Sequence, residues 1–261
     1  MTRRVQWSFL LAAVAFSTAQ AQDTTKRIRV ATFNINAASK GLDMVAKELG
    51  EINADVVGLQ EVDVRTKRGN GRDQFLALGE AYPYKHFLRT SFYQGGEYGI
   101  AILSRYPLDN VRSLQLPGCR GCEPRGALFA DVAVGGREVQ FIVTHLGLPS
   151  KFGMSTEEQG RQIEKILASA AEGERVVLVG DLNSQPSSSV IRKIKASQFR
   201  DACAATTRGS SDTHTKTILG LDVGVRIDYI FFRPGMDAND CNVRPRLASD
   251  HSAVVSTLEL H

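Results

Sequence analysis

The chain has 261 residues, 43% of them hydrophobic and 23% charged, with a formal net charge of +4. That balance is ordinary for a globular protein and excludes a disordered, collagen-like or coiled-coil chain. Four cysteines are too few for a disulfide-held miniprotein, and the one notable apolar stretch, Phe9 to Phe16, falls short of the ~20 residues that span a bilayer.

The N-terminus has the order of an export signal. Arg3 and Arg4 precede the apolar run, and Ala19-Gln20-Ala21 follows it as a small-x-small cleavage site. Residues 1–21 are therefore expected to be a signal peptide, with residues 22–261 as one domain, secreted or periplasmic and without integral membrane association. Cleavage removes Trp7 and two basic residues, so the working protein is closer to neutral than +4 suggests. Such a charge does not announce a nucleic-acid binder. Export also favours paired cysteines. Of the three connectivities that four cysteines allow, Cys119–Cys122 with Cys203–Cys241 is the expected one, a zinc site on the Cys-x-x-Cys being the competing reading.

In chain order, a strand is predicted over Ile28–Ile35, followed by a helix whose apolar face is Leu42, Val45, Ala46, Leu49 and Ile52. A strand follows at Asp55–Leu59. The stretch Lys67–Gln94 reads as one helix plus long loops, with Phe92 and Tyr93 in a loop. Strands are then expected at Gly99–Ser104, Ala127–Val134 and Glu138–Leu146, the last two joined across Val134-Gly-Gly-Arg137, a hairpin signal. A helix carries Ile163, Ile166, Leu167 and Ala170, a strand covers Arg175–Val179, and a third helix runs from about Ser188 to Phe199 behind Pro186. Strands at Ile227–Phe232 and Ser252–Leu260 close the chain. Helices do not follow every strand, which fits an α/β fold of mixed, mainly antiparallel sheets covered by helices better than a regular βαβ barrel.

The residues able to do chemistry sit at strand ends. Asn34, Glu61 and His145 close three apolar strands, and Asp181 with Asn183 follows a fourth. Asp228 and the pair Asp250-His251 open the last two strands. If those two run antiparallel to the others, all these groups gather on one rim, where loops on a rigid sheet usually build sites. Each alone has a plainer account, such as an Asx turn for Asp181 and Asn183 or a half-buried imidazole for His145. Together they offer hard oxygen ligands and imidazoles, which suits Mg2+ or Mn2+. Neither a nucleophile elbow nor a glycine-rich phosphate loop is present. Metal-assisted attack by water is the reaction class that remains.

The ordered series Thr32-Phe-Asn-Ile35, Leu59-Gln-Glu-Val62, Tyr98-Gly-Ile-Ala-Ile-Leu-Ser-Arg105, Thr144-His-Leu146, Gly180-Asp-Leu-Asn183, Arg226-Ile-Asp-Tyr-Ile230 and Ser249-Asp-His251 resembles the endonuclease/exonuclease/phosphatase superfamily. The resemblance implies a four-layered α/β/β/α sandwich and a divalent-metal phosphoesterase. By motif, Glu61 resembles the main metal ligand, with Asn34 and Asp250 beside it. Asp228 and His251 resemble the acid–imidazole pair, with His251 as base, and His145 with Asp181 as the alternative. Asp181 would orient the attacking water or the leaving group, Asn183 would donate to the phosphate, and His145 would stabilise phosphoryl oxygens or deliver a proton. Arg125, Arg65 and Tyr98 are candidate substrate contacts, and Lys67, Arg68 and Arg72 are candidates to line the entrance; a turn arginine and a solvated basic loop are the plainer accounts.

The expected substrate is a phospholipid, a phosphoinositide or another small phosphoester, handled by a monomer. DNA is the alternative, favoured by the Cys-x-x-Cys loop with its following arginine and disfavoured by the near-neutral charge. A binding protein on the same fold, without catalysis, is the third class. None of the motifs is broken, which weighs against it.

Overall fold

A computed structural model of the chain describes residues 26–150, 153–206, 212–218 and 221–261. The expected signal segment lies outside the described residues. Strand β1 (Arg27–Asn34) leads through a short turn into α1 (Leu42–Ile52) and β2 (Val56–Val64). Helix α1 buries Val45, Leu49 and Ile52 on one face and ends where Asn53 adopts left-handed backbone, its N–H donating to the Leu49 carbonyl. After α2 (Gln74–Leu78), β3 (Tyr84–Tyr93) and β4 (Gly96–Ser104) form a hairpin, followed by β5 (Leu108–Gln115), β6 (Gly126–Val134) and β7 (Arg137–His145). Helix α3 (Thr156–Ser169) starts with a reciprocal capping box between Ser155 and Glu158. Next come β8 (Val176–Asp181), α4 (Ser189–Ala196), β9 (Arg200–Asp201) and α5 (Ala202–Thr206). A two-stranded ribbon of β10 (His214–Ile218) and β11 (Leu221–Val225) precedes β12 (Asp228–Phe232), β13 (Met236–Ala238), β14 (Asn242–Val243) and β15 (Val254–Leu260).

Two sheets stack face to face. One has the order β13-β15-β1-β2-β4-β3, with β14 also on β15, and the other β5-β6-β7-β8-β12-β9. Each contains one parallel pair, β1 with β2 and β7 with β8, among antiparallel neighbours. Val30, Val56 and Ile102 of the first sheet share a buried cluster with Val143, Val179 and Ile230 of the second. The outer face of the first sheet buries Leu59 and Leu103 under Leu49 and Ile52 of α1. The other outer face buries Ile142, Leu178 and Phe231 under Ile163 and Ile166 of α3 and Ile191 and Ile194 of α4. Each fully buried aliphatic or aromatic side chain contributes roughly 1.5–3 kcal/mol. The result is the α/β/β/α sandwich, with mixed and mainly antiparallel sheets.

The stretch Lys67–Gln94 differs from its expected helix and loops. It holds a five-residue helix and the ten-residue strand β3. Solvent reaches both faces of this edge strand in part, and the alternation of β3 is blurred by half-exposed positions. Phe92 and Tyr93 accordingly lie on the hairpin rather than in a loop. Strand β5, the edge of the second sheet, was also not expected. Cys119–Cys122 and Cys203–Cys241 are both disulfides and no cysteine is free, so zinc on the Cys-x-x-Cys is excluded. Among the described residues no helix is long and apolar enough to cross a membrane.

Candidate active site

Strand direction gathers the site. Strands β1 and β2 run parallel and their pairing ends at Asn34 and Gln60, just before Glu61, while β7 and β8 run parallel and pair His145 with Asp181 at their ends. Strand β12 runs antiparallel to β8 and opens with Asp228 opposite Asp181. Strand β15 runs antiparallel to β1 and pairs Val254 with Thr32, which brings the preceding Asp250 and His251 to the same rim. The orientation of the last two strands is thus the one the motif order required.

Local backbone then aims the side chains. Between Leu59 and Val62 the register of β2 on β4 shifts, and Glu61 inside that bulge takes a left-handed φ of 58°. A bulge re-aims a side chain out of strand alternation, and here it delivers the Glu61 carboxylate to Asn34. A glycine precedes Asp181 because a Cβ on Gly180, at φ 152°, would sit 2.0 Å from the Thr144 carbonyl oxygen. Neighbouring strands could not close there around any other residue.

Asn34, fully buried, is the hub. Its Nδ2 donates to Glu61 Oε1 at 3.1 Å and to Asp181 Oδ2 at 3.0 Å, and its Oδ1 accepts the Asn36 N–H at 3.0 Å. Asn34 therefore turns its amide nitrogen, not its oxygen, toward Glu61, and in this arrangement it orients that carboxylate. Among the described residues this is the only hydrogen bond to the Glu61 carboxylate. Burial lifts the Glu61 carboxyl above its ordinary range, against the pull of Asn34, His251 and Arg125. A mostly buried carboxylate with a single protein donor suits a hard cation.

His251 Nδ1 donates to Asp228 Oδ2 at 2.9 Å. Burial alone would lower its pKa, but the anions of Asp228, Asp181 and Asp250 outweigh burial and push it up to about 10. His145 has the opposite setting. Its ring is flanked by Arg125 Nη1, 2.9 Å from Nδ1, and by Asn183 Nδ2, 3.1 Å from Nε2. Burial, then Arg125, then His251 hold this imidazole well below the usual range, and it is neutral. Arg125 is itself nearly buried and pairs with Glu123 at 3.2 Å. Asn183 donates Nδ2 to the Leu146 carbonyl at 3.0 Å, and because Nδ1 of the neutral ring accepts from Arg125, Nε2 of His145 carries the proton and faces Asp181 Oδ2 at 3.4 Å. Asp181 accepts the Asn183 N–H at 2.8 Å. Burial and then the neighbouring Asp228 push its pKa up to about 7.

Tyr98 is buried beside Arg125, and burial raises its phenol far above the ordinary range. It lines an open cavity of about 260 Å³ with Glu61, Arg68, Ser91, Tyr93 and Glu123. Arg65 does not join this cavity. Its backbone is left-handed and its side chain is exposed and 3.6 Å from Asp73, so Arg68 holds the place expected of Arg65. The sequence reading missed His214. Its ring stacks on His251 at 4.4 Å between centroids and its Nδ1 donates to the Asp250 carbonyl at 3.2 Å. Thr213 was missed as well. Its hydroxyl accepts the N–H groups of Ile227 and Asp228, both at 3.1 Å. Neither stands at the end of a long apolar strand, so no pattern marked them. Among the described residues two clusters have ligand atoms within 4.8 Å of one another, Asp181 with Asp228 and His251, and His214 with Asp250 and His251.

Comparison with known proteins follows the same lines. The protein YbhP of Escherichia coli K12 is 27% identical over 145 residues, 51% of this chain and 54% of its own length. The chain thus spans about half the length of the curated relatives it matches. An endonuclease/exonuclease/phosphatase from Beutenbergia cavernae superposes with a TM-score of 0.74 at 25% identity, covering 90% of this chain and 72% of that one. The human Nocturnin catalytic domain with bound sulfate superposes with a TM-score of 0.68 at 16% identity, covering 92% and 96%, and shares the fold. The sequence profile described as the Endonuclease/Exonuclease/phosphatase family matches residues 31–251. The chain belongs to that family, whose members hydrolyse phosphoester bonds.

Proposed function

We propose that this protein is an exported, divalent-metal-dependent phosphodiesterase that acts as a monomer on a phospholipid, a phosphoinositide or another small phosphoester. The observation that carries this reading is the Asn34 amide bridging Glu61 and Asp181, with a charged His251 and a neutral His145 beside them. Glu61 and Asp250 would hold Mg2+ or Mn2+, with Asn34 orienting Glu61. The cation supplies Lewis-acid polarisation of the phosphoryl oxygen when bound.

The chain's own groups divide the proton work. Asp181, at about 7, is poised to accept a proton from the attacking water near neutral pH. His251 already carries its proton at that pH, so the base role expected of it passes to Asp181. The imidazolium, held by Asp228, donates to a phosphoryl oxygen and stabilises its growing charge. Arg125 and Asp181 hold His145 in one orientation, Asn183 would donate to the phosphate, and Tyr98 walls the adjoining cavity. That cavity, about 260 Å³, matches one substituent of a phosphoester. Both disulfides and the Arg3–Ala21 signal pattern support export. The location of Arg125 after the Cys119–Cys122 loop favours DNA as the second reading. A panel of sphingomyelin, phosphoinositides, bis(p-nitrophenyl) phosphate and plasmid DNA in magnesium tests the proposal. Turnover of a small or lipid ester above plasmid nicking is the expected result, and nicking alone would move the assignment to the nuclease.

A further inference from the structure

The Glu61 cavity contains a guanidinium that the reaction scheme leaves unused. Near the end of strand β2 stands Asp63, whose carboxylate is fully buried, and the chain then turns at Arg65 so that Arg68 folds back over it. Arg68 Nε and Nη2 donate to the two Asp63 oxygens at 2.6 and 2.9 Å, and Thr66 Oγ1 donates to the same carboxylate at 2.6 Å. The guanidinium lies 4.4 Å from the Tyr93 ring centre and 5.5 Å from that of Tyr98. Its orientation is therefore fixed from the side and from its face.

A planar guanidinium has two usable edges. Asp63 takes the side edge, Nε with Nη2. The end edge, made by Nη1 and the second hydrogen of Nη2, has no partner among the described residues, and the side chain, 35% exposed, lines the cavity. Ser91 is brought to the same wall by a register shift in β3 between Arg89 and Ser91. A pre-oriented fork beside a hydroxyl matches an oxyanion, and little ordering is left to do on binding. The surrounding charges agree once a cation is present. Asp63 offsets Arg68, Glu123 offsets Arg125 at 3.2 Å, and a divalent ion on Glu61 leaves the cavity positive.

We propose that the end edge of Arg68, with Ser91, is a second anion subsite that receives a phosphoryl group other than the one being cleaved. The preferred substrate is then a phosphoester bearing a further phosphate, on a nucleotide or on an inositol ring. This inference rests on the phosphodiesterase reading, and the test separates the two.

In magnesium, kcat/KM is measured for a dinucleotide with and without a terminal phosphate, and for glycerophosphoinositol with and without a ring phosphate. The wild type should prefer the extra phosphate in one arm by at least about tenfold, the least that losing a charge-assisted fork would cost, and that arm identifies the source. Arg68→Lys retains a cation for Asp63 but has no fork, and should collapse the ratio toward one. Ser91→Asp leaves the Arg68–Asp63 pair intact and places an anion before the fork, so it should collapse the ratio as well. A wild-type ratio near one in both arms, or a ratio preserved in both variants, would overturn the subsite. If the wild type hydrolyses none of these esters, the phosphodiesterase reading fails by itself. Calorimetry with inorganic phosphate and magnesium then decides the subsite. Binding weakened about tenfold or more by both variants supports it, and unchanged binding rejects it.

Discussion

Replacing Asp228 by asparagine removes one charge from beside His251 without changing the shape of the pair. The carboxylate oxygen lies 2.9 Å from Nδ1, and unit charges near 4 Å at an effective dielectric of 20 interact by about 4 kcal/mol. That corresponds to roughly three pKa units, in keeping with a ring raised from 6.5 to about 10 against the opposing effect of burial. Asp228→Asn should therefore return the ring to about 7–8. The assay is an NMR titration of the His251 ring in the metal-free protein, followed by a pH profile of turnover. Because the imidazolium is the working form, turnover should fall on the alkaline side, and that limb should move down by about two to three pH units in the variant. At neutral pH, where a ring at about 7–8 is still at least half protonated, turnover of Asp228→Asn should fall only severalfold, whereas His251→Ala, which removes the ring, should cost ~10²–10⁴, the usual worth of a positioned acid–base group. Stability has a defined sign as well. The folded pKa lies above the unfolded value, so the stabilisation from this ring is complete below pH 6.5 and is lost as pH rises through about 10. Asp228→Asn should flatten that decline. A His251 pKa that moves by less than one unit, or an alkaline limb that stays in place, would refute the charge-pair argument.

Two further outcomes test the frame and the substrate. Arg226 donates to Asp201 at 2.5 Å, both side chains being nearly buried, and the same Asp201 oxygen accepts the Cys203 N–H at 3.1 Å. Arg226→Ala should destabilise the protein by about 3–5 kcal/mol in urea unfolding, because it strands a buried charge, and a loss under about 1 kcal/mol would show the pair to be dispensable. For a small phosphoester, the dependence of log(kcat/KM) on log salt should be shallow, reflecting one or two screened contacts. A steep slope with plasmid DNA, relieved by Arg65→Ala with Arg125→Ala, would instead mark many neutralised phosphates and a nuclease.

The chemistry-bearing rim was legible because each residue stands where an apolar, doubly buried strand stops. Asn34, His145, Asp181 and Asp228 all follow or precede runs whose burial permits little else. Their convergence depended on strand direction, which the sequence left open and the pairing of β12 with β8 and of β15 with β1 resolves. Edge strands were the weak point. In β3 and β5 solvent reaches both faces in part, so the period-two pattern fades and the hairpin that walls the Glu61 cavity stayed hidden. Arg65 and Arg68 were indistinguishable as members of one basic loop. The left-handed turn at Arg65 and the buried carboxylate of Asp63 separate them. The protonation of His251 was also beyond the sequence, since it depends on three anions gathered from β8, β12 and the loop before β15.

The central claim is that Glu61 holds the divalent cation on which phosphoester hydrolysis depends. Glu61→Gln keeps the size of the side chain and an oxygen for Asn34 Nδ2, while removing the charge. Magnesium binding by calorimetry and hydrolysis of bis(p-nitrophenyl) phosphate should be measured together for wild type and variant, with and without EDTA. We expect wild-type hydrolysis to vanish in EDTA with the fold intact, and Glu61→Gln to bind magnesium at least about tenfold more weakly and turn over at least about a hundredfold more slowly. Full activity of the wild type in excess EDTA, or wild-type magnesium affinity in Glu61→Gln, would contradict the account.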